Sequence, residues 1–146
     1  MARKTVAMGT LDRTFSLAIR ERDDYTCTYP KCPNCGNHSL REGGLDCAHY
    51  YRRYRASGRW TPDNCASLCR KQHNYLDEHH PHLVAFFTKL LGEDVHNELI
   101  KRHHGVFRYK PYERAEMNQH YKAQIKKMEA QRMNGVQGRL VLTGWD

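Results

Sequence analysis

Two groups of residues in this chain have the types and the spacing of metal ligands and acid–base groups. Cys32 and Cys35 form a closely spaced thiol pair. Further along, His49 precedes a basic stretch, Asn64 follows that stretch, and His73 comes nine residues after Asn64. Thiols at this spacing suit a tetrahedral zinc ion, and histidine can accept a proton or bind a divalent metal near neutral pH.

The thiol pair predicts a structural zinc site. Its two cysteines are flanked by proline and glycine, which suit a metal-binding turn. A second cysteine pair should begin at Cys69, but Gln72 stands where the second cysteine of that pair is expected, and an amide is a poor zinc ligand. Cys27 lies five residues before Cys32 on the same turn. We therefore predict that Cys27, Cys32, Cys35 and Cys69 bind the ion.

Two alternatives for the fourth ligand remain open at this point. His73 could complete the set, although it would then be lost to the catalytic site, and Cys65 is a further option. We otherwise interpret Cys47 and Cys65 as small buried core residues, which is the usual state of a free cysteine.

The three remaining polar residues suit the hydrolysis of a phosphodiester, which needs a base, a cation and fixed geometry. His49 can take a proton from water, and His73 can bind a divalent metal. The amide of Asn64 can donate and accept, so it can join the two arms of a hairpin and hold His49 in place. The basic stretch supplies the predicted DNA contacts, which are Arg52, Arg53, Arg55 and Arg59.

These motifs resemble those of a known family. The segments 45–53 (Leu-Asp-Cys-Ala-His-Tyr-Tyr-Arg-Arg) and 59–69 (Arg-Trp-Thr-Pro-Asp-Asn-Cys-Ala-Ser-Leu-Cys), followed by His73, resemble phage HNH proteins of the NinG recombination-endonuclease type. The continuation over 81–93 is also similar. The resemblance covers about residues 17–110 and is specific around 45–73.

The resemblance implies a treble-clef zinc fold with a ββα-metal active site. It further implies metal-dependent cleavage or nicking of DNA in phage recombination, replication or packaging, with phage or host recombination and replication proteins as further partners. In this interpretation His49 is the base, Asn64 orients it, and His73 binds Mg²⁺, Mn²⁺ or a similar ion. The source would be a phage or prophage.

The chain departs from the family pattern beside the catalytic histidine. Ala48 stands where many HNH enzymes carry an Asp or His ligand. Asp77 takes the position of a third ligand, four residues after His73, and would share a helix face with it. Asp46 should point away from His49, because side chains alternate along a strand. A rival hypothesis is a non-catalytic zinc-binding DNA module, and a third is a helical adaptor built on residues 81–133.

Composition narrows the class of protein. The 146 residues allow one domain, and a mean hydropathy of −0.88 predicts a small core that a metal ion would help to stabilise. A net charge of +8 attracts polyanions. The basic N-terminus lacks the apolar segment of a signal peptide, so we expect a cytoplasmic protein, in which six cysteines favour metal binding over disulfides. The resemblance to phage proteins implies that this cytoplasm is that of a bacterial host cell.

The patterning predicts an α+β fold that is mainly helical, with the zinc-stapled core between an N-terminal helix and a C-terminal helical extension. We expect a helix over 11–23, a strand over 45–51 and helices over 67–78, 81–92, 93–104 and 111–133. We divide the chain into a nuclease domain, 10–110, and a basic helical extension with its tail, 111–146. The extension offers basic residues either as phosphate contacts or as a solvated face, and the tail is expected as an edge strand or as disordered chain.

Overall fold

The computed structural model describes residues 8–53, 56–105 and 109–146. The predicted DNA contact Arg55 lies outside these ranges. The described chain forms five α-helices and one two-stranded sheet, which confirms the expected α+β, mainly helical class. The elements are α1 (Thr10–Arg22), β1 (Leu45–His49), β2 (Cys65–Cys69), α2 (Arg70–Glu78), α3 (His80–Leu91), α4 (Glu93–His104) and α5 (Arg114–Met133). None of these helices is both long and apolar enough to span a bilayer.

The sheet is an antiparallel pair, in which Leu45 lies opposite Cys69 and His49 lies opposite Cys65. The prediction of a helix from residue 67 is wrong at its start, because residues 65–69 form β2 and α2 begins at Arg70. Every residue of β2 is buried. A short apolar run covered on both faces lacks strand alternation, so its pattern does not separate strand from helix.

The two faces of the sheet pack into different parts of the core. Cys65 belongs to a cluster with α1, α5 and Trp60. Ala66 and Leu68 belong to a second cluster with the cysteine loop, α2 and α3. The sheet therefore separates α1 on one side from α2 on the other, and adjacent strand residues serve opposite sides.

A buried ion pair fixes the end of α1 against β2. The guanidinium of Arg22 donates to both carboxylate oxygens of Asp23, at 2.8 and 2.9 Å, and to the carbonyls of Pro62 and Cys65. Asp23 also accepts from the backbone N–H of Ser67 at 3.0 Å. Because every polar atom at this junction is paired, the charges can be buried, and they set where β2 begins.

A second carboxylate, that of Asp12, holds the start of α1. It accepts hydrogen bonds from the N–H of Gly9, from the indole of Trp60 and from the guanidinium of Arg59. Burial alone would raise the pKa of Asp12, but these donors, Arg59 above all, outweigh it and lower that pKa. Asp12 therefore stays ionised and attaches α1 to the segment before β2.

The tail after α5 is neither a strand nor detached chain. Residues 134–146 carry no regular secondary structure, yet the N–H of Leu140 donates to the carbonyl of Arg22 at 2.8 Å. Asp146 forms an ion pair with Arg102 at 2.6 Å. Leu140 is buried in the cluster that α1 shares with α5. The tail thus closes the outer side of α1.

Candidate functional site

Four cysteines meet between the long loop after α1 and the end of β2. The sulfur atoms of Cys27, Cys32, Cys35 and Cys69 all lie within 4.8 Å of one another, and the Sγ atoms of Cys32 and Cys69 are 3.8 Å apart. Zinc–sulfur bonds of about 2.3 Å in a tetrahedron place sulfur atoms roughly 3.8 Å apart. The four thiols could therefore hold a zinc ion, and this cluster includes Cys27 rather than the alternatives His73 and Cys65.

The side chain of Asn37 shapes the loop that carries three of these thiols. Its amide oxygen accepts from the N–H of Cys32, while its NH₂ donates to the carbonyls of Cys27 and Tyr29. The loop reverses through left-handed backbone at Gly36, with a φ of 63°. These contacts orient the three thiols towards the same side of the loop without the help of an ion.

The electrostatics of the cluster also suit a cation. Burial raises the pKa of Cys69 to about 11. Burial alone would raise the pKa of Cys32 as well, but hydrogen bonds from the N–H groups of Asn34 and Cys35 outweigh it and lower that pKa. Thiolates packed this closely repel one another, and a divalent ion that replaces their protons removes the repulsion.

Gln72 lies beside the thiols but is held by another partner. Its Oε1 accepts a hydrogen bond of 2.8 Å from Asn34 and lies 4.0 Å from the Sγ of Cys32. The side chain is 2% exposed. Gln72 therefore braces the cysteine loop against α2, and Cys27 supplies the thiol that the sequence lacks at position 72.

His49 is the last residue of β1 and packs towards α1, with its ring centroid 6.4 Å from that of Phe15. Its Nε2 lies 3.0 Å from the carbonyl oxygen of Arg59. Because a carbonyl only accepts, Nε2 carries the proton and Nδ1 is the nitrogen that can accept one. Burial lowers the pKa of His49 to about 4, so the ring is neutral at pH 7.

Asn64 closes the turn that follows β1. Its Oδ1 accepts from the N–H of Tyr51 at 2.8 Å, and its Nδ2 donates to the carbonyls of Tyr51 and Gly58, each at 2.9 Å. The side chain is fully buried. One amide thus joins both arms of the loop between the strands, and so fixes the backbone that follows His49.

His73 lies between two carboxylates on the other side of the sheet. Its Nδ1 is 3.0 Å from Asp46, and its Nε2 is 3.6 Å from Asp77, one turn further along α2. Burial alone would raise the pKa of Asp46, but His73 and Arg70 outweigh it and lower that pKa. Because Asp46 occupies Nδ1, the donors that could meet one Mg²⁺ or Mn²⁺ ion are Nε2 of His73 and the carboxylate of Asp77.

Asp46 is the residue that sequence reasoning missed. It does lie on the opposite strand face from His49, and that face is turned towards α2. The sequence did contain a signal for Asp46. Side chains alternate along a strand, so a residue that points away from His49 must point towards the helix that packs on the opposite face. Only the placement of α2 shows that this helix presents His73.

One opening connects the two sides. A cavity of about 240 Å³ is lined by both His49 and Asp77, together with Tyr50, Tyr51, Arg52, His80, Leu83 and His103. His73 stands behind Asp77. The base candidate His49 and the carboxylate of Asp77 therefore face the same cavity.

The predicted DNA contacts lie in different surroundings. Arg52 lines the cavity. Arg59 is 2.6 Å from Asp12, and Arg53 is 3.9 Å from the same carboxylate. On α5, Lys122, Lys126 and Lys127 are exposed, whereas Arg132 donates to the carbonyl of Glu21 at 2.7 Å. Arg52 thus lines the same cavity as His49, while Arg59 and Arg132 are paired with groups that belong to α1.

No protein-family model matches this chain, and no curated protein or solved structure matches it significantly.

Replacement of Cys27 by alanine should release the tightly held zinc ion. The loss of an outer-shell partner alone weakens metal sites by roughly 10–100-fold, so the loss of a thiolate should lower the zinc affinity by more than about 100-fold. Metal content after dialysis and competition with a chromophoric chelator measure the effect. The control Cys47→Ala should keep the tightly held ion. Equal zinc retention in both variants would contradict the assignment of Cys27.

Replacement of Asn64 by alanine should lower the free energy of unfolding by about 2–4 kcal/mol, because it leaves the buried carbonyl of Gly58 and the partly buried backbone groups of Tyr51 without the Asn64 amide. Denaturant unfolding of the zinc-loaded protein measures the change. Asn97→Ala, an exposed position on α4, serves as the control and should change stability by less than about 0.5 kcal/mol. An equally small effect at position 64 would rule out the proposed clamp.

Proposed function

We propose that this protein is a metal-dependent endonuclease or nickase of the HNH type that hydrolyses phosphodiester bonds in DNA. The observation that carries the proposal is the cavity shared by His49 and Asp77, with His73 and Asp46 behind it. The resemblance to phage NinG-type proteins supports the same function and suggests a place in phage recombination, replication or packaging.

The four cysteines would hold the structural zinc of a treble-clef core. Three of them belong to the loop after α1, and Cys69 caps α2, the helix that carries His73 and Asp77. A zinc ion bound there would attach the loop to both β2 and α2. The position of His73 relative to β1 would then depend on the structural ion, although that ion takes no part in the reaction.

His49 would act as the general base. The ring is neutral at pH 7, and it can take a proton from a water molecule in the cavity. A pKa near 4 makes a weak base, but a phosphate anion beside the ring raises that pKa towards neutrality. The water oxygen attacks phosphorus, the bond from phosphorus to the 3′ oxygen breaks, and that oxygen takes a proton from solvent, leaving a 5′ phosphate and a 3′ hydroxyl.

His73, through Nε2, and Asp77 would hold the divalent ion, while Asp46 accepts from Nδ1 and orients the ring. When bound, such an ion supplies positive charge to the phosphate oxygens as their negative charge grows. Arg52 at the rim can pair with a neighbouring phosphate. The exposed lysines of α5 add to the basic surface, which favours a polyanionic substrate.

The central test incubates the purified protein with supercoiled and branched DNA in Mg²⁺, Mn²⁺ or EDTA. We expect cutting that requires a divalent metal and falls by at least about 100-fold in His49→Ala, because the loss of a general base costs 10²–10⁴ in rate. His120→Ala is the matched control, since His120 is a partly buried residue of α5 that does not line the cavity and donates to a tail carbonyl.

The DNA affinity of His49→Ala should stay close to that of the wild type, so that the loss is one of rate. An unchanged cutting rate in His49→Ala would overturn the assignment of the base. Tight DNA binding without cutting by the wild type in either metal would favour the non-catalytic zinc-binding module instead.

A further inference from the structure

A second group of metal-binding side chains lies on the α1 side of the sheet. The sulfur atoms of Cys47 and Cys65 and a ring nitrogen of His49 all lie within 4.8 Å of one another. Cys65 is buried, and the other two side chains are partly buried. His49 lies opposite Cys65 in the register of the strands, and Cys47 shares the strand face of His49. The three ligand atoms therefore converge from rigid strand positions.

A disulfide does not account for this cluster. Both cysteines are free thiols. Cys47 lies opposite Ser67, so it is diagonal to Cys65 across the sheet. Diagonal neighbours have Cα atoms about 7–8 Å apart, whereas a disulfide needs a separation below about 7 Å. The strands would have to move to form the bond.

Core packing explains the positions of the two thiols, but it does not explain why an imidazole nitrogen lies beside them. Two small apolar side chains fill a core whether or not an imidazole nitrogen is turned towards them. Two thiols and one imidazole form the donor set of zinc sites that keep one coordination position open. Two thiolates with one divalent ion form a neutral unit, which lowers the cost of burying charge beside the sheet. Ion binding would release the two thiol protons.

We propose that Cys47, His49 and Cys65 bind a thiophilic divalent ion such as Zn²⁺, and that this ion inhibits the protein by occupying His49. The inhibitory part rests on the proposed nuclease function, in which His49 must be free to take a proton. The site has three protein ligands instead of four, so it binds more weakly than the cluster of four cysteines. A low zinc concentration would then fill only the structural site. A higher concentration would also fill the second site and prevent His49 from accepting a proton.

The first experiment titrates the full-length protein, carrying one equivalent of zinc, with Co²⁺ as a spectroscopic probe. We expect a further equivalent that shows thiolate-to-cobalt charge-transfer absorbance. Cys47→Ala and Cys65→Ala should each lose this second signal while they keep the first zinc equivalent, which also shows that they are folded. His79→Ala is the control for adventitious binding, because His79 and His82 lie together on the surface without a thiol.

The second experiment measures DNA nicking in fixed Mg²⁺ while Zn²⁺ is raised. Each protein is compared with its own rate in the absence of added zinc. Inhibition of Cys47→Ala should require at least about tenfold more Zn²⁺ than inhibition of the wild type, since one of three ligands is lost.

A second equivalent that lacks the thiolate signal, or that persists in both cysteine variants, would overturn the site. Equal zinc inhibition of the wild type and Cys47→Ala would overturn the inhibitory mechanism. The two proposals can fail separately. A second, thiolate-bound ion in a protein that never cuts DNA would refute only the nuclease function. Metal-dependent cutting without a second ion would refute only the inhibitory metal site.

Discussion

The packing of four thiols around one point is the constraint on which the rest of this structure depends. Sulfur atoms 3.8 Å apart cannot all be ionised without a cation between them, and a zinc ion satisfies that requirement. Because Cys69 both ends β2 and caps α2, an ion bound there ties the loop after α1 to the strand and to the helix at once. Since the sheet in the described part of the chain has two strands, an ion bound there would add fixed geometry that a small core supplies only weakly.

Fixed geometry at that point matters because one strand serves two sides of the molecule. Alternation along β1 sends Asp46 towards α2 and His49 towards α1. The side chain of Asn64 makes three hydrogen bonds to the backbone of the loop after the strand. These bonds position His49 indirectly, through the loop. The cavity lined by His49 and Asp77 is where the two sides meet. The same side that buries His49 also brings it to two thiols, which links catalysis to metal inhibition in our account.

The sequence predicted the parts of the site that depend on local spacing. The choice of Cys27 as the fourth thiol followed from a missing cysteine and a nearby turn, and the structure groups it with the other three. The strand at 65–69 was missed because a short buried run has no distinctive period. Asp46 was missed because its partner comes from a helix packed across the sheet. The burial of the pair Arg22 and Asp23 was not predicted, since nothing in the local sequence shows that β2 covers it.

The metal dependence of DNA nicking by Asp46→Asn, beside the wild type, tests the central claim most directly, because Asp46 was identified from the structure alone. If His73 and Asp77 hold the divalent ion and Asp46 orients His73, the Mn²⁺ concentration for half-maximal nicking should rise by about 10–100-fold in Asp46→Asn, and high Mn²⁺ should restore much of the rate. Asp94→Asn, an exposed carboxylate at the start of α4, should leave the curve unchanged. Identical curves for Asp46→Asn and the wild type would contradict the account, as would nicking by the wild type that needs no metal.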